Sequence, residues 1–205
     1  MLITGMGPRN ATRALRAALA LARPRLVLSC GLAGALNPQL ARGDLVFAAD
    51  DSFPLSPVLL ELGARPIQFH GVDRIIATAA EKAGLWNTTG ADAVDMESAA
   101  IRALCREAHL PCATVRVISD AAQDNLPLDF NQYLRSDQGL HYGKLLLGLL
   151  ASPRAIKPLI TLNQHTRAAA RKLGASLAAA LNAMPPSLTS SGSSDCENGS
   201  RSQRT

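Results

Sequence analysis

The sequence predicts an α/β fold, a single three-layer domain in which helices flank a central mixed, mostly parallel sheet. Short aliphatic or β-branched runs alternate with helix-forming stretches, and glycine-rich segments separate them. Hydrophobic residues make up 47% of the chain but aromatics only 3%, so the core is aliphatic, as in sheets covered on both faces. With 205 residues the chain is long enough for one sizeable core, and 18% charged residues are too few for a disordered protein.

The elements follow in order. Leu2 to Thr4 reads as a short strand turned by Gly5-Met6-Gly7-Pro8, and Ala11 to Ala22 is built of strong helix formers. Leu26 to Ser29 reads as a buried strand, followed by a turn at Gly31-Leu32-Ala33-Gly34; Gly43 then opens a strand at Asp44 to Ala49. Residues 50 to 70 carry three prolines and read as loops. Arg74 to Ala83 reads as a short helix and Ala91 to Val94 as a strand. In Ser98 to Ala108 the apolar Ile101, Leu104, Cys105 and Ala108 share one helical face. Ala113 to Ile118 is β-branched and alternating, hence a strand. A polar loop around Gln123 to Asn131 precedes helical stretches running to about Asn182. The expected domain is 1–183. Residues 184–205, Ser-rich and poor in aliphatics, read as a disordered tail.

Several function classes are set aside by composition. The net charge of +5 is spread without a dense basic run or interleaved aromatics, which argues against a nucleic-acid partner. Cys30, Cys105, Cys112 and Cys196 form no CxxC pair and no histidine stands at metal spacing, so neither a disulfide framework nor a metal site is expected. His70, His109, His141 and His165 show no mutual pattern. Arg13, Arg16, Arg23 and Arg25 interrupt every apolar stretch that could serve as an export signal, and the run Leu145 to Ala151 is far short of a membrane span. A reducing cytoplasm is the expected location.

Two segments carry the chemistry, GADAVDMESAAI at 90–101 and VRVISDAA at 115–122. In each a strand runs out into an acidic residue. Ligands of parallel sheets bind beyond the carboxyl ends of strands, so Met96-Glu97 and Ser119-Asp120 would share one crevice if their strands are neighbours. Taken singly, Asp120 also fits a turn or helix cap, Glu97 a first-turn acid at a helix N-terminus, and Met96 a core residue. Arg116 fits a salt-bridge partner as well as a contact for a nucleophile.

VDMESAAI followed about twenty residues later by VRVISDAA resembles the signature of the nucleoside phosphorylase and nucleosidase superfamily, of the purine and uridine phosphorylase type. The resemblance covers roughly residues 2 to 135. It implies that Asp120 protonates N7 of a departing purine, that Glu97 binds the ribose hydroxyls and that Met96 packs on the sugar, with Arg116 and Ser119 beside them on the substrate. Gly5 to Gly7, Gly31 to Gly34 and the Gly43-Asp44 turn resemble the family's glycine loops, making Gly5, Gly7 and Gly31 candidates for the nucleophile or phosphate loop. The implied partners are a small-molecule nucleoside and inorganic phosphate, with no cofactor, in a homo-oligomer. Family members begin with a further strand and an acidic or anion-binding loop ahead of the segment matched by LITGMG. On this resemblance the chain lacks the first strands, through a misplaced start or a shortened product.

The chemistry fits those residue types. N-glycosidic cleavage passes through an oxocarbenium-like ribose, so rate comes from improving the leaving base and holding the cationic sugar. An ordinary aspartic acid is protonated only about once in a thousand at neutral pH, a penalty of about 4 kcal/mol, which the site must offset for the acid. A glutamate on the ribose does its work ionised, accepting from two hydroxyls and facing the developing charge.

Within the superfamily, GVDRIIATAAEKAGLWNTTGADAVDMES is most similar to the hopanoid-associated phosphorylases, which remove adenine from adenosylhopane. Hydrolases of methylthioadenosine and S-adenosylhomocysteine usually carry EMEG or EMEA and a serine where this chain has Leu32; the Arg and Ser of salvage phosphorylases are matched by Ser29 and Leu32. A hopanoid substrate implies peripheral contact with the inner membrane face. The expected contact is the leucine-rich, basic stretch from Gly143 to Lys172, although Pro153 and Pro158 break one continuous amphipathic helix.

Overall fold

The structure is a computed structural model and describes residues 1–51, 53–133 and 156–184. In chain order the elements are α1 (Pro8–Leu21), β1 (Val27–Ala35), β2 (Leu45–Ala49), α2 (Ser56–Glu61), β3 (Arg65–Pro66), β4 (Phe69–Gly71), α3 (Ala79–Thr89), β5 (Ala93–Asp95), α4 (Ser98–Glu107), β6 (Cys112–Asp120), a short 3-10 helix (Phe130–Tyr133) and α5 (Ile156–Asn182). The strands form one mixed sheet in the order β3-β2-β6-β1-β5-β4. Parallel pairs are β1 with β6, β2 with β3 and β4 with β5, while β2 with β6 and β1 with β5 run antiparallel. The expected mixed, mostly parallel sheet between helices is what the chain forms.

The centre is the β1–β6 ladder, in register from Val27 opposite Cys112 to Ala33 opposite Ile118, then slipped so that Gly34 faces Asp120. Alternation along β6 sorts the helices to two faces. Val115 and Val117 join Leu45, Phe47 and Leu59 under Ala169, Leu173 and Ala180 of α5. Cys112 faces the other way, into a cluster of Ala11 and Leu15 from α1 with Ile101, Leu104 and Cys105 from α4.

Several sequence expectations are corrected. Leu2 to Thr4 is not a strand: Ile3 is 83% exposed, and three residues make no ladder without a neighbouring strand. Gly31 to Gly34 is not a turn, because β1 runs straight through it, its backbone groups taken up by β6 on one side and partly by β5 on the other. The 50–70 segment is not all loop. Pro57 sits in the first turn of α2, where a missing N–H is harmless, and Pro66 lies in β3 at the sheet edge.

The helix expected at 74–83 starts later, at Ala79, where Thr78 and Glu81 form a reciprocal capping box; it ends on Gly90 at φ 67°, a left-handed conformation suited to glycine. α5 begins at Ile156 with Pro158 in its first turn. The first half of the Gly143 to Lys172 stretch, and residues 185–205 of the expected tail, lie outside the described residues. No described helix is long and apolar enough to cross a membrane.

Candidate active site

β6 ends on Asp120, and its carboxylate is held on both oxygens. Lys82 Nζ donates to Oδ2 at 2.5 Å, and the Ser119 hydroxyl donates to Oδ1 at 2.6 Å. The Lys82 side chain is fully buried, whereas Asp120 is 13% exposed. α3 brings Lys82 here in its first turn, just after the capping box. The same turn is tied to the loop after β6 by Asn125, which accepts from the Ala79 amide, and by Leu126, whose amide donates to the Ala77 carbonyl. Gly34 makes room for the carboxylate: a Cβ there would lie 3.1 Å from Asp120 Oδ2.

Asp124 closes this corner. It accepts from the Ala121 amide at 2.6 Å and from the Arg42 guanidinium, in a bidentate ion pair. Burial disfavours its charge, but the Arg42 hydrogen bond, the Ala121 amide and the nearby Lys82 ammonium outweigh that and hold its carboxyl below the ordinary value.

Glu97 stands at the start of α4 and accepts from the Gly7 amide at 2.7 Å. Gly7 opens α1 with φ 88° and has no side chain to cap that helix, so the glutamate supplies the negative charge its N-terminus favours. Gly5, at φ 76°, precedes it in the same loop. Met96 lies in the wall of a pocket of about 750 Å³ with Val72, Ile76, Leu85 and Ala99. Ser119 and Asp120 line a second pocket of about 390 Å³ with Arg42, Asp124, Lys157 and His165.

The strands carrying the two motifs are not neighbours. β1 lies between β5 and β6, and β5 runs against both, so the two carboxyl ends point in opposite directions. What brings the motifs near each other is a row across three strands, Val94 beside Gly34 beside Asp120.

Arg116 is buried in the sheet layer between the motifs. Its guanidinium pairs with Asp95 Oδ2 at 2.6 Å and donates to the Ser29 carbonyl at 2.6 Å and the Ser29 hydroxyl at 3.1 Å. Asp95 in turn accepts from the Ser98 hydroxyl at 2.5 Å. Gly31, opposite Arg116, provides the space for this side chain. Arg116 Nε has no hydrogen-bond partner among the described residues.

Sequence reading missed Lys82, Asp95 and Asp124. Asp95 carried a signal, since an acid inside a buried strand demands a cation, and Arg116 was the arginine on a buried strand. Asp124 carried none, because its carboxylate reaches back to the Ala121 amide and across to Arg42, some eighty residues earlier in the chain. Lys82 carried none, because nothing in the sequence tells a buried lysine from a solvated one.

Comparison with known proteins places the chain. The model of the phosphorylase superfamily matches residues 1–73 and 64–150. The chain is 26% identical over 167 residues to a 5'-methylthioadenosine/S-adenosylhomocysteine nucleosidase of Glaesserella parasuis, covering 65% of this chain and 73% of the relative. It is 28% identical over 141 residues to an aminodeoxyfutalosine nucleosidase of Campylobacter jejuni, covering 53% and 61%. Among solved structures, the methylthioadenosine/S-adenosylhomocysteine nucleosidase of C. jejuni aligns with a TM-score of 0.54 at 25% identity, over 63% of this chain and 70% of that one. The futalosine hydrolase of Helicobacter pylori shares the fold with a TM-score of 0.63 at 15% identity, over 88% and 78%. The chain is an enzyme of the phosphorylase superfamily.

Proposed function

We propose that the chain cleaves the N-glycosidic bond of an adenine nucleoside, with Asp120 as the acid on the purine and Glu97 as the clamp on the ribose. The relatives named above support the reaction class, as the methylthioadenosine/S-adenosylhomocysteine and aminodeoxyfutalosine enzymes are named as nucleosidases. As the C1′–N9 bond breaks, its electron pair moves to the purine and positive charge grows on the sugar. A proton delivered to N7 makes the base a better leaving group, and an ionised glutamate stabilises the sugar. Met96 packs against the ribose, with Ser119 fixing the Asp120 carboxylate and the Gly5 to Gly7 loop beside Glu97.

The finer reading is phosphorolysis of adenosylhopane, releasing adenine in hopanoid synthesis. The observation that carries it is the pocket of about 750 Å³ around Met96, where Val72, Ile76, Leu85 and Ala99 offer an apolar wall to a large 5′ substituent, beside the polar Asp73, Arg74 and Glu81. The similarity of residues 71–98 to the hopanoid-associated phosphorylases supports the same reading. Inorganic phosphate is then the nucleophile; of the residues the resemblance assigns to its loop, Gly5 and Gly7 stand beside Glu97, whereas Gly31 and Arg116 lie in the sheet with the Arg116 guanidinium taken up by Asp95 and Ser29. The hydrolytic reading, on methylthioadenosine-like substrates, is favoured by the relatives' names. A non-catalytic nucleoside-binding protein is the third.

Adenine release measured with and without phosphate separates these. Phosphate-dependent release with a sugar 1-phosphate product supports phosphorolysis. Equal release without phosphate makes the chain a hydrolase, and no release from any adenine nucleoside leaves the binding protein.

Membrane docking belongs with the hopanoid reading. Within α5, Lys157, Arg167 and Arg171 are exposed and Ile160 is 53% exposed, whereas Lys172 donates to the Gly43 carbonyl. Reversible attraction to anionic lipid would follow, at about 1 kcal/mol per basic residue near the surface. Absence of flotation with anionic vesicles at low salt would discard the docking while leaving the chemistry untouched.

A further inference from the structure

We propose that Lys82 is a positioning residue of the reaction that also holds the proton which Asp120 delivers to the purine. This rests on the reading of Asp120 as the acid. A carboxylate that must give a proton at neutral pH is nearly always without one, so a source has to stand close by. The only ammonium on Asp120 among the described residues is that of Lys82, 2.5 Å from Oδ2.

The lysine is placed for this, and its remaining bonds tie α3 to the loop after β6. Its Nζ has three acceptors, Asp120 Oδ2, the Ala121 carbonyl at 2.8 Å and the Asp124 carbonyl at 3.2 Å, which together use all three N–H groups of an ammonium. It is fully buried, so it adds nothing to solubility or surface recognition. The other charged residues lining this pocket are Arg42, Asp124 and Lys157, and Arg42 grips Asp124. Ser119 holds Oδ1, so the carboxylate cannot turn away from the lysine without losing a second bond.

The step balances as follows. The Lys82 Nζ–H bond breaks as an O–H bond forms on Asp120, making the carboxyl neutral. That carboxyl passes a proton to purine N7 while the C1′–N9 bond breaks and its electron pair goes to the purine. The base leaves neutral, Asp120 is again a carboxylate, Lys82 is a neutral amine, and the sugar cation is captured by the nucleophile. Lys82 regains its proton from solvent by way of Asp120, the partly exposed member of the pair.

The test compares two substrates in the full chain, adenosine and a 4-nitrophenyl riboside, whose leaving group departs as a stabilised anion without a proton. For Lys82→Met we expect kcat on adenosine to fall about hundredfold or more, the scale of general acid catalysis, with KM changed less than threefold and the nitrophenyl substrate cleaved at close to the parent rate. Lys82→Gln, which keeps a donor but has no transferable proton, takes the same two assays should the methionine variant not fold. Equal losses on both substrates mean that Lys82 only holds the site together and overturn the proposal; so does an unimpaired adenosine rate. Asp120→Asn distinguishes the underlying reading: if it too cleaves adenosine at the parent rate, Asp120 is not the acid; if it is impaired while Lys82→Met is not, the lysine proposal alone fails.

Discussion

Gly31 and Arg116 face each other across the β1–β6 ladder, and the guanidinium group of one packs over the place where a side chain on the other would begin. A Cβ at Gly31 would stand 3.5 Å from both Arg116 Cζ and Nε. That is ordinary contact for a methyl group, so Gly31→Ala should be tolerated. Gly31→Val adds two branches into the same space and should push the guanidinium off Asp95, at a cost of about 1–3 kcal/mol measured by urea unfolding.

The buried pair itself can be broken from the other side. Asp95→Asn leaves Arg116 charged in a sheet interior where its own exposure is 1%, and should lower stability by about 3–5 kcal/mol. Replacing both partners by apolar residues, Asp95→Leu with Arg116→Met, removes the stranded charge. It should therefore recover most of the loss in the same unfolding experiment.

The two functional carboxylates should fail differently. Asp120→Asn retains hydrogen bonding but has no proton to transfer, so kcat on an adenine nucleoside should fall by about 10²- to 10⁴-fold with little change in substrate binding. Glu97→Gln weakens both binding and turnover, since the ribose hydroxyls are held in the ground state as well. Mild and equal effects in steady-state kinetics would make both carboxylates structural.

Much of this was legible in the chain before any coordinates. Amphipathic α4 and β-branched β6 announced themselves because each buries one regular face, and the acids at the ends of the two motifs stood out by spacing. The path of β1 did not: glycines 31 and 34 look like a turn until it is known that Arg116 and Asp120 fill the space above them. α3 was displaced because the Thr78 to Glu81 capping box was overlooked in favour of the apolar run before it. Lys82 was beyond reach, since its burial is decided by the loop after β6, some forty residues further along.

Acid should loosen the corner around Asp120. Asp124 has its carboxyl held below the ordinary value by Arg42, the Ala121 amide and Lys82, against the effect of burial. A folded value below the unfolded one contributes stability above the unfolded value, and that contribution is lost as pH falls through the folded one, because the unfolded chain binds the proton first. Melting temperature should therefore drop on acidification below about pH 4, and Asp124→Asn should flatten that drop. A variant with the same acid profile as the parent would count against this origin.

The order of strands in the sheet also dictates when the protein can fold. β6 stands at the centre, between β1 and β2, yet among the described residues it is the last strand to be synthesised. On the ribosome β1 and β2 emerge with only their short outer neighbours β5 and β3 to pair with, and the inner edge of each stays open until Cys112 to Asp120 has cleared the exit tunnel. Strands that wait in this way are the ones prone to pairing between chains. Nascent chains halted before β6 should therefore stay protease-sensitive and bind chaperones, and chains halted after it should become resistant in a single step.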